Sequence, residues 1–131
     1  MPSHSYLYKR YFAISSIGAV LHTLNPRLFE EQLVYIVNHA EDYAIFVDAM
    51  LYPILAKSRA KLTNVKHIII MTDKEHMPPN LPADVLCYEE LIAPFTGEFE
   101  WPEFDERTAS SLCYTSVLIY IYIYSVVDLK P

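Results

Sequence analysis

Three predominantly apolar runs, separated by segments of helical periodicity, constrain the fold of this chain more than any other feature. The runs occupy residues 19–24, 43–47 and 65–71, and the third holds Ile68-Ile69-Ile70 at its centre. The run at 43–47 is apolar at every position, which is typical of a strand buried on both faces, as in a parallel sheet. The β-α-β-α-β order therefore predicts an α/β domain, in which helices flank a parallel sheet and the crossovers are right-handed.

The segments between the runs predict helices that each bury one face. A first helix is expected over residues 6–17, with Gly18 closing it. Asn25 followed by Pro26 predicts the start of a second helix, because a capping side chain here precedes proline at the first helical position. Apolar residues at helical spacing predict the buried face of that second helix: Phe29, Leu33, Ile36, Val37 and Ala40.

The rest of the chain continues this alternation with shorter patterns. Apolar spacing predicts a third helix over residues 51–62, then a strand at 85–88, a helical turn at 89–93 and a strand at 109–116. Residues 95–108 carry five acidic side chains and are interpreted as a solvated connector.

Composition bounds the possible functions. A chain of 131 residues suits one domain, and its net charge of -6 argues against non-specific nucleic-acid binding. With only 2 glycines, the chain holds few of the residues on which phosphate-binding loops rely. Cys87 and Cys113 form no CxxC pair and residues 1–10 carry no apolar signal segment. Reduced thiols and an intracellular, by default cytoplasmic, location are therefore expected.

Several single residues are candidate sites. Asp48 ends an apolar run at the edge where α/β proteins bind ligands, which suggests a phospho-acceptor. That role needs an acidic pair after the first strand, and Thr23-Leu24-Asn25 has none, so Asp48 is expected to cap its loop. None of the histidines has the spacing of a metal-binding motif, so no metal site is expected from His4, His22, His39, His67 or His76.

Residues near the predicted ends of elements have expected structural roles. His39, with Glu41 and Asp42, is expected to end the second helix. Cys113 has no base beside it in the sequence and is expected to be a buried strand thiol. Tyr114 is expected to pack in the core or at the sheet edge rather than to stack on a nucleotide base.

A family resemblance rests on the order and spacing of five segments: 18–28 (Gly-Ala-Val-Leu-His-Thr-Leu-Asn-Pro-Arg-Leu), 35–42 (Tyr-Ile-Val-Asn-His-Ala-Glu-Asp), 46–48 (Phe-Val-Asp), 105–109 (Asp-Glu-Arg-Thr-Ala) and 112–116 (Leu-Cys-Tyr-Thr-Ser). Together they resemble the N-terminal domain of AMP-forming acyl-CoA synthetases, which belong to the adenylate-forming ligase superfamily. The resemblance covers residues 6–116 and is nearest to the fatty-acyl, medium- to long-chain branch.

The resemblance implies a two-step reaction. A carboxylate attacks the α-phosphate of ATP to give an acyl-adenylate and pyrophosphate, and the thiol of coenzyme A then displaces AMP. It implies ATP, Mg²⁺ and coenzyme A as cofactors and a fatty acid or other carboxylate as the substrate. The family's phosphate loop has the sequence Thr-Ser-Gly-Thr-Thr-Gly-x-Pro-Lys-Gly. Only Thr115 and Ser116 match it here, so they are the candidate ATP-binding residues and no catalytic residue is assigned.

The missing remainder of that loop predicts a chain without activity of its own. The family's later adenine- and ribose-binding motifs and its C-terminal lysine are also absent, and family members carry more sequence before the first helix. Residues 1–116 are therefore interpreted as a partial AMP-binding domain that lacks both ends and binds no ATP, Mg²⁺ or coenzyme A by itself. Whether the chain is an enzyme is left open by the sequence.

Residues 117–131 have no counterpart in the family. Residues 119–124 alternate Ile and Tyr, as in a translated AT repeat (ATA, TAT), and Val117 has codons that begin with GT, the usual start of an intron. The tail is interpreted as read-through of non-coding DNA, a frameshift or a gene-model error. As protein, it predicts a strand that extends from Leu112 and aggregates or self-associates through residues 117–127 when exposed. It is too short to span a bilayer, so no membrane association is expected.

Two alternatives to a silent synthetase fragment stay open. One is a stand-alone α/β binding or interaction domain without catalysis, which ATP binding by the isolated chain would favour. The other is a membrane- or assembly-associated module driven by the tail, which tail-dependent partitioning into membranes would favour. The family motifs favour the fragment.

Overall fold

The computed structural model describes residues 4–114 and 123–127, which form helices packed on one sheet. The helices are α1 (His4–Ser16), α2 (Glu30–His39), α3 (Tyr52–Ser58) and α4 (Tyr88–Ile92), with 3₁₀ turns at Arg59–Lys61 and Lys74–His76. The strands are β1 (Val20–Leu24), β2 (Asp42–Val47), β3 (His67–Ile70), β4 (Val85–Cys87), β5 (Ser111–Cys113) and β6 (Ile123–Val127). Among these helices, none is long and apolar enough to cross a bilayer.

The sheet has the strand order β4-β3-β2-β6-β1-β5. β2, β3 and β4 are parallel neighbours, and β1 and β5 form a second parallel pair. β6 lies between these two groups and runs antiparallel to both of its neighbours. The predicted α/β fold, parallel strands with flanking helices, is confirmed, and the inserted β6 makes the sheet mixed.

The main core lies where α2 and α3 pack on the sheet. Leu33 and Val37 of α2 and Leu55 of α3 are each at most 1% exposed. Burying a side chain of this size stabilises a fold by roughly 1.5–3 kcal/mol. These helices cover a continuous layer of strand residues: Leu24, Ile45, Val47, Ile68, Ile70 and Val85.

A smaller cluster lies under α1. Successive strand residues point to opposite faces of a sheet, so the positions of β1 and β2 that alternate with the main core face the other way. There Leu21 packs with Ile14 of α1, and Phe46 and Val126 lie against them. The sheet is therefore covered on both faces, with α1 on the less extensively packed one.

Gly18 ends α1 as predicted. Its φ of 79° lies in the left-handed region, which costs glycine little. The N–H of Gly18 donates to the carbonyl of Ser15 at 3.1 Å, and the N–H of Ala19 donates to the carbonyl of Ile14 at 3.2 Å. A Cβ at Gly18 would also lie 3.4 Å from the ring of Phe104. The conformation favours glycine at this turn, whereas an added Cβ would make only an ordinary contact with the Phe104 ring.

The predicted start of the second helix was wrong. Asn25 accepts a hydrogen bond from the N–H of Arg27 at its own Oδ1, 2.9 Å away, so it stabilises a turn and α2 begins later, at Glu30. Phe29 precedes the helix with extended backbone and is 80% exposed, so its predicted burial was also wrong. The predicted buried face holds for Leu33, Ile36 and Val37.

The tail forms a strand, but not the one predicted. Residues 123–127 pair with β1 on the side opposite β5, and in the opposite direction. A strand that continued from Leu112 would keep the direction and the position of β5, so residues 123–127 do not extend β5 as predicted. The rest of the Ile-Tyr tract lies outside the described residues, and its self-association stays a prediction.

Candidate functional site

The carboxyl ends of the parallel strands define the edge where α/β proteins bind their ligands. β5 ends there at Cys113, and Tyr114 is the last described residue before Thr115 and Ser116. These two predicted phosphate-binding residues lie outside the described residues, so their role stays a prediction. The described part of the candidate site is the group of side chains that holds Tyr114.

Tyr114 is held by side chains from α2 and β1. Its hydroxyl and Nδ1 of His39 share a hydrogen bond of 2.5 Å. Its ring centroid lies 5.2 Å from that of His22. Tyr35 stacks on His39 with ring centroids 5.4 Å apart. Tyr114 packs against the main core, as the sequence predicts.

His22 and Asp42 form a fully buried pair beside Tyr114. Both side chains are 0% exposed, and Nδ1 of His22 lies 2.9 Å from each carboxylate oxygen of Asp42. Nε2 of His22 has no hydrogen-bond partner among the described residues. A polar side chain buried this deeply depends on its partner, because water cannot replace the lost contact.

The chain between α2 and β2 places Asp42 in this pair. His39 ends α2, as predicted. Glu41 then adopts a left-handed φ of 56°, which turns the chain into the sheet. Asp42 is the first residue of β2, so the prediction that it helps to end the helix was wrong.

Burial raises the pKa of the Tyr114 phenol above its usual 10.0, and the negative charge of Asp42 raises it further. The phenol therefore stays protonated at neutral pH and keeps a hydrogen to share with His39. A phenol that is protonated at neutral pH, hydrogen-bonded on one side and packed on the other is suited to anchoring the backbone at Tyr114. The geometry fixes the residue from which Thr115 and Ser116 continue.

Two carboxylates near the same edge cap backbone groups. The N–H of Met50 donates to Oδ1 of Asp48 at 2.9 Å, which confirms the predicted loop cap. Asp73 likewise accepts the N–H of His76 at 3.0 Å, and its Oδ1 lies 2.6 Å from Nδ1 of that imidazole. These carboxylates hold loops in shape.

The predicted burial of Cys113 was wrong. Its side chain is exposed, because β5 is an edge strand that pairs only with β1 in the described sheet. Of the two cysteines, Cys87 is the buried one, and its thiol donates to the carbonyl of Thr72 at 3.1 Å.

His22 and His39 both contact Tyr114, and the other three histidines lie on other elements. His4 lies in α1, and His67 packs edge-on against Tyr43 with ring centroids 5.9 Å apart. Within residues 4–114 and 123–127, no group of three or more His, Cys, Asp or Glu side chains is placed to hold a metal ion.

An open cavity of about 250 Å³ lies between α1 and the acidic connector. Ala13, Ile14 and Ile17 line one side, and Phe99 and Trp101 line the other. The rings of Phe99 and Trp101 meet edge to face, with centroids 4.8 Å apart. Because this lining is apolar and its connector is acidic, the cavity is unsuited to phosphate.

Sequence reasoning missed the His22–Asp42 pair. The available signals were a histidine inside an apolar run and an aspartate directly before another. A buried polar side chain needs a hydrogen-bond partner, so each of these two residues indicated that a partner exists in the fold. Their pairing depends on where β6 lies, which local patterns did not indicate.

The comparisons with known proteins agree with the sequence motifs. The model of the AMP-binding enzyme family matches residues 1–116. Over 106 residues, 81% of the chain, it is 51% identical to the 3-methylmercaptopropionyl-CoA ligase of Ruegeria lacuscaerulensis, covering 20% of that protein. Over the same 81% of its length, the chain is 42% identical to the medium-chain-fatty-acid–CoA ligase of Ectopseudomonas oleovorans and covers 19% of that protein. It is 38% identical to the long-chain-fatty-acid–CoA ligase of Thermus thermophilus and covers 18% of that protein.

These matches, with the α/β fold and the motif at the end of β5, place the chain in one class. It belongs to the AMP-binding enzyme family and is similar to its AMP-forming acyl-CoA ligases. The chain spans about a fifth of the length of the curated relatives that it matches.

Proposed function

We propose that this chain is part of an AMP-forming carboxylic acid–CoA ligase and catalyses no adenylation by itself. The observation that carries the proposal is the anchoring of Tyr114, through His39 and His22, directly before the only two residues that match the ATP phosphate loop. The two hydroxyls of Thr115 and Ser116 would each donate a hydrogen bond to a phosphate oxygen of ATP. Two hydroxyls without the glycines and lysine of the loop supply few of the donors needed to stabilise the departing pyrophosphate.

The substrate of the intact ligase is, on this proposal, a fatty acid or a related carboxylate. The printed activities of the relatives differ in the acyl group and share an acid that is joined to coenzyme A. We retain the medium- to long-chain class that the sequence motifs suggest, although the 3-methylmercaptopropionyl-CoA ligase matches at higher identity than the medium- and long-chain ligases.

Mg²⁺ accompanies ATP in this family and neutralises phosphate charge. Mg²⁺ is usually held by one or two carboxylates together with phosphates and water. The carboxylates of Asp48 and Asp73 already accept backbone N–H groups, and the described residues offer no cluster for a metal. The described residues do not fit this ion, and no step is assigned through it.

We also propose that residues 1–116 are the family portion and that residues 117–131 arise from read-through, a frameshift or a gene-model error. Sequencing the transcript across the Ser116 codon tests this. A spliced message that encodes Gly-Thr-Thr-Gly after Ser116 would support the proposal. A message that only continues into the AT repeat would contradict a gene-model error.

Carboxylate-dependent ATP–pyrophosphate exchange tests the absence of activity. The chain is assayed with octanoate beside the Ectopseudomonas oleovorans ligase as the positive control. We expect exchange by the control and none by the chain. Clear exchange by the chain would overturn the proposal, and ATP binding without exchange would favour a stand-alone binding domain.

A further inference from the structure

The described sheet consists of two parallel groups that make no backbone pairing with each other. One group is β4-β3-β2 and the other is β1-β5, and β6 alone connects them. Because neighbouring strands lie about 4.8 Å apart, the facing edges of β1 and β2 are separated by roughly 10 Å. This gap is too wide for direct hydrogen bonds between β1 and β2 and has the width of one strand.

The gap has a defined polarity and register. Each of the five residues of β6 pairs with both neighbours, from Ile123 opposite Leu24 and Val47 to Val127 opposite Val20 and Asp42. β1 and β2 run in the same direction, so a strand between them is antiparallel to both or parallel to both. The pairing is antiparallel here, and without β6 two edges would present unpaired N–H and C=O groups inside the sheet.

The two faces of the gap differ. On one face, Leu21 and Phe46 belong to the apolar cluster that Val126 contacts. On the other, the side chains of His22 and Asp42 meet across the gap, although β6 separates their strands. A strand in the gap therefore has to leave room for this pair. The position that pairs with His22 holds Ser125, a small residue.

We propose that the gap between β1 and β2 is a strand-binding groove, and that residues 123–127 of the same chain are its resident occupant. The groove takes an extended apolar segment that runs antiparallel to β1 and carries a small residue opposite His22. Backbone pairing on both sides supplies affinity, and the buried His22–Asp42 contact supplies selectivity against bulk at that position. The assignment depends only on sheet geometry and does not rest on the proposed ligase activity.

A pair of cysteines tests the occupant in the full chain. Thr23 pairs with Tyr124 on β6 and with Cys113 on β5, so the test uses a Cys113→Ser background. Thr23→Cys with Tyr124→Cys is expected to form a disulfide within one chain under mild oxidation. Thr23→Cys with Val127→Cys, which is three residues out of register, is the matched control and is expected to form none. No disulfide in the first variant, or a disulfide that joins two chains, would overturn the assignment.

A peptide supplied in trans tests the groove itself. Ser125→Pro in the full chain removes a backbone donor from the centre of β6, where proline is not tolerated. We expect amide hydrogen exchange in Val20–Leu24 and in residues 44–47 to accelerate by about tenfold or more. A synthetic peptide of residues 121–130 is expected to restore protection, and the same peptide with Ser125→Leu is expected to restore less. Unchanged amide hydrogen exchange in the Ser125→Pro variant would overturn the proposal of a strand-binding groove. Equal restoration of protection by both peptides would overturn the proposed selectivity for a small residue opposite His22. If the Ser125→Pro variant unfolds completely, the disulfide experiment still tests whether residues 123–127 occupy the groove.

Discussion

Nδ1 of His22 lies 2.9 Å from both carboxylate oxygens of Asp42, although β6 runs between the strands that carry the two residues. The contact joins the two parallel groups of the sheet by side chains, in addition to the backbone pairing through β6. Because both side chains are fully buried, the pair couples correct insertion of β6 to the satisfaction of two polar groups. The pair also contacts Tyr114, so it links the centre of the sheet to the candidate site.

Breaking this pair should be strongly destabilising. Asp42→Ala leaves a buried imidazole without its partner, and we expect a loss of about 3–5 kcal/mol in the free energy of unfolding. Urea denaturation followed by circular dichroism measures it. His22→Leu combined with Asp42→Ala should recover part of the loss, because neither buried polar group then remains. A double variant as unstable as the sum of both single variants would contradict this explanation.

The hydroxyl of Tyr114 should contribute modestly to the stability of the fold, and its ring should contribute strongly. Tyr114→Phe removes only the exposed hydrogen bond between the hydroxyl and His39. We therefore expect a loss of about 1 kcal/mol in the free energy of unfolding. Tyr114→Ala also removes the ring from its contacts with the core and His22, with an expected loss of about 3–5 kcal/mol. Chemical denaturation of both variants checks the order, and equal losses would argue against the anchoring role of the ring.

The position of α2 predicts a contrast between an apolar residue of the helix and the apolar residue that precedes it. Leu33 is 1% exposed in the main core, so Leu33→Ala should cost about 2–5 kcal/mol. Phe29 is 80% exposed before the helix, so Phe29→Ala should change stability by no more than about 0.5 kcal/mol. Urea midpoints of the two variants provide the measurement. A large loss for Phe29→Ala would restore the original prediction that Phe29 is buried.

The His76–Asp73 pair predicts a specific pH dependence. A hydrogen bond to the Asp73 carboxylate, followed by its charge, raises the pKa of His76 above 6.5. A raised histidine pKa means that the pair stabilises the loop fully below pH 6.5 and that this contribution is lost as pH rises through the higher folded pKa. The same bond lowers the pKa of Asp73 below 3.8, so the contribution is also lost as pH falls through that lower value.

NMR titration of the imidazole resonances checks the His76 prediction. Asp73→Asn keeps an oxygen to accept the backbone N–H of His76 and removes the charge, so the pKa of His76 should fall toward 6.5. An unchanged His76 pKa in the variant would contradict the pairing.

Local patterns predicted the elements whose burial follows from their own sequence. The Ile68-Ile69-Ile70 run is a central strand, and the spacing of Leu33, Ile36 and Val37 identified the buried face of α2. These succeed because period and hydrophobicity are properties of contiguous residues. The family motifs likewise predicted the class of protein, since they depend on residue order alone.

The features that were missed depend on distant parts of the chain. Asn25 has the composition of a helix cap, but its side chain bonds the backbone two residues later and makes a turn. The exposure of Cys113 follows from the edge position of β5, and the burial of His22 and Asp42 follows from the central position of β6. Strand order is set by packing of the whole sheet, which local periodicity does not encode.

Trp101 has a consequence for experiments. It is the single tryptophan of the chain, it is 56% exposed, and it lines the cavity between the connector and α1. Its fluorescence therefore comes from one place, the contact between the acidic segment and the helix that covers the thinner face of the sheet. The fluorescence of Trp101 should therefore report detachment of α1 without an added label. Excitation that is selective for indole separates this signal from that of the eleven tyrosines.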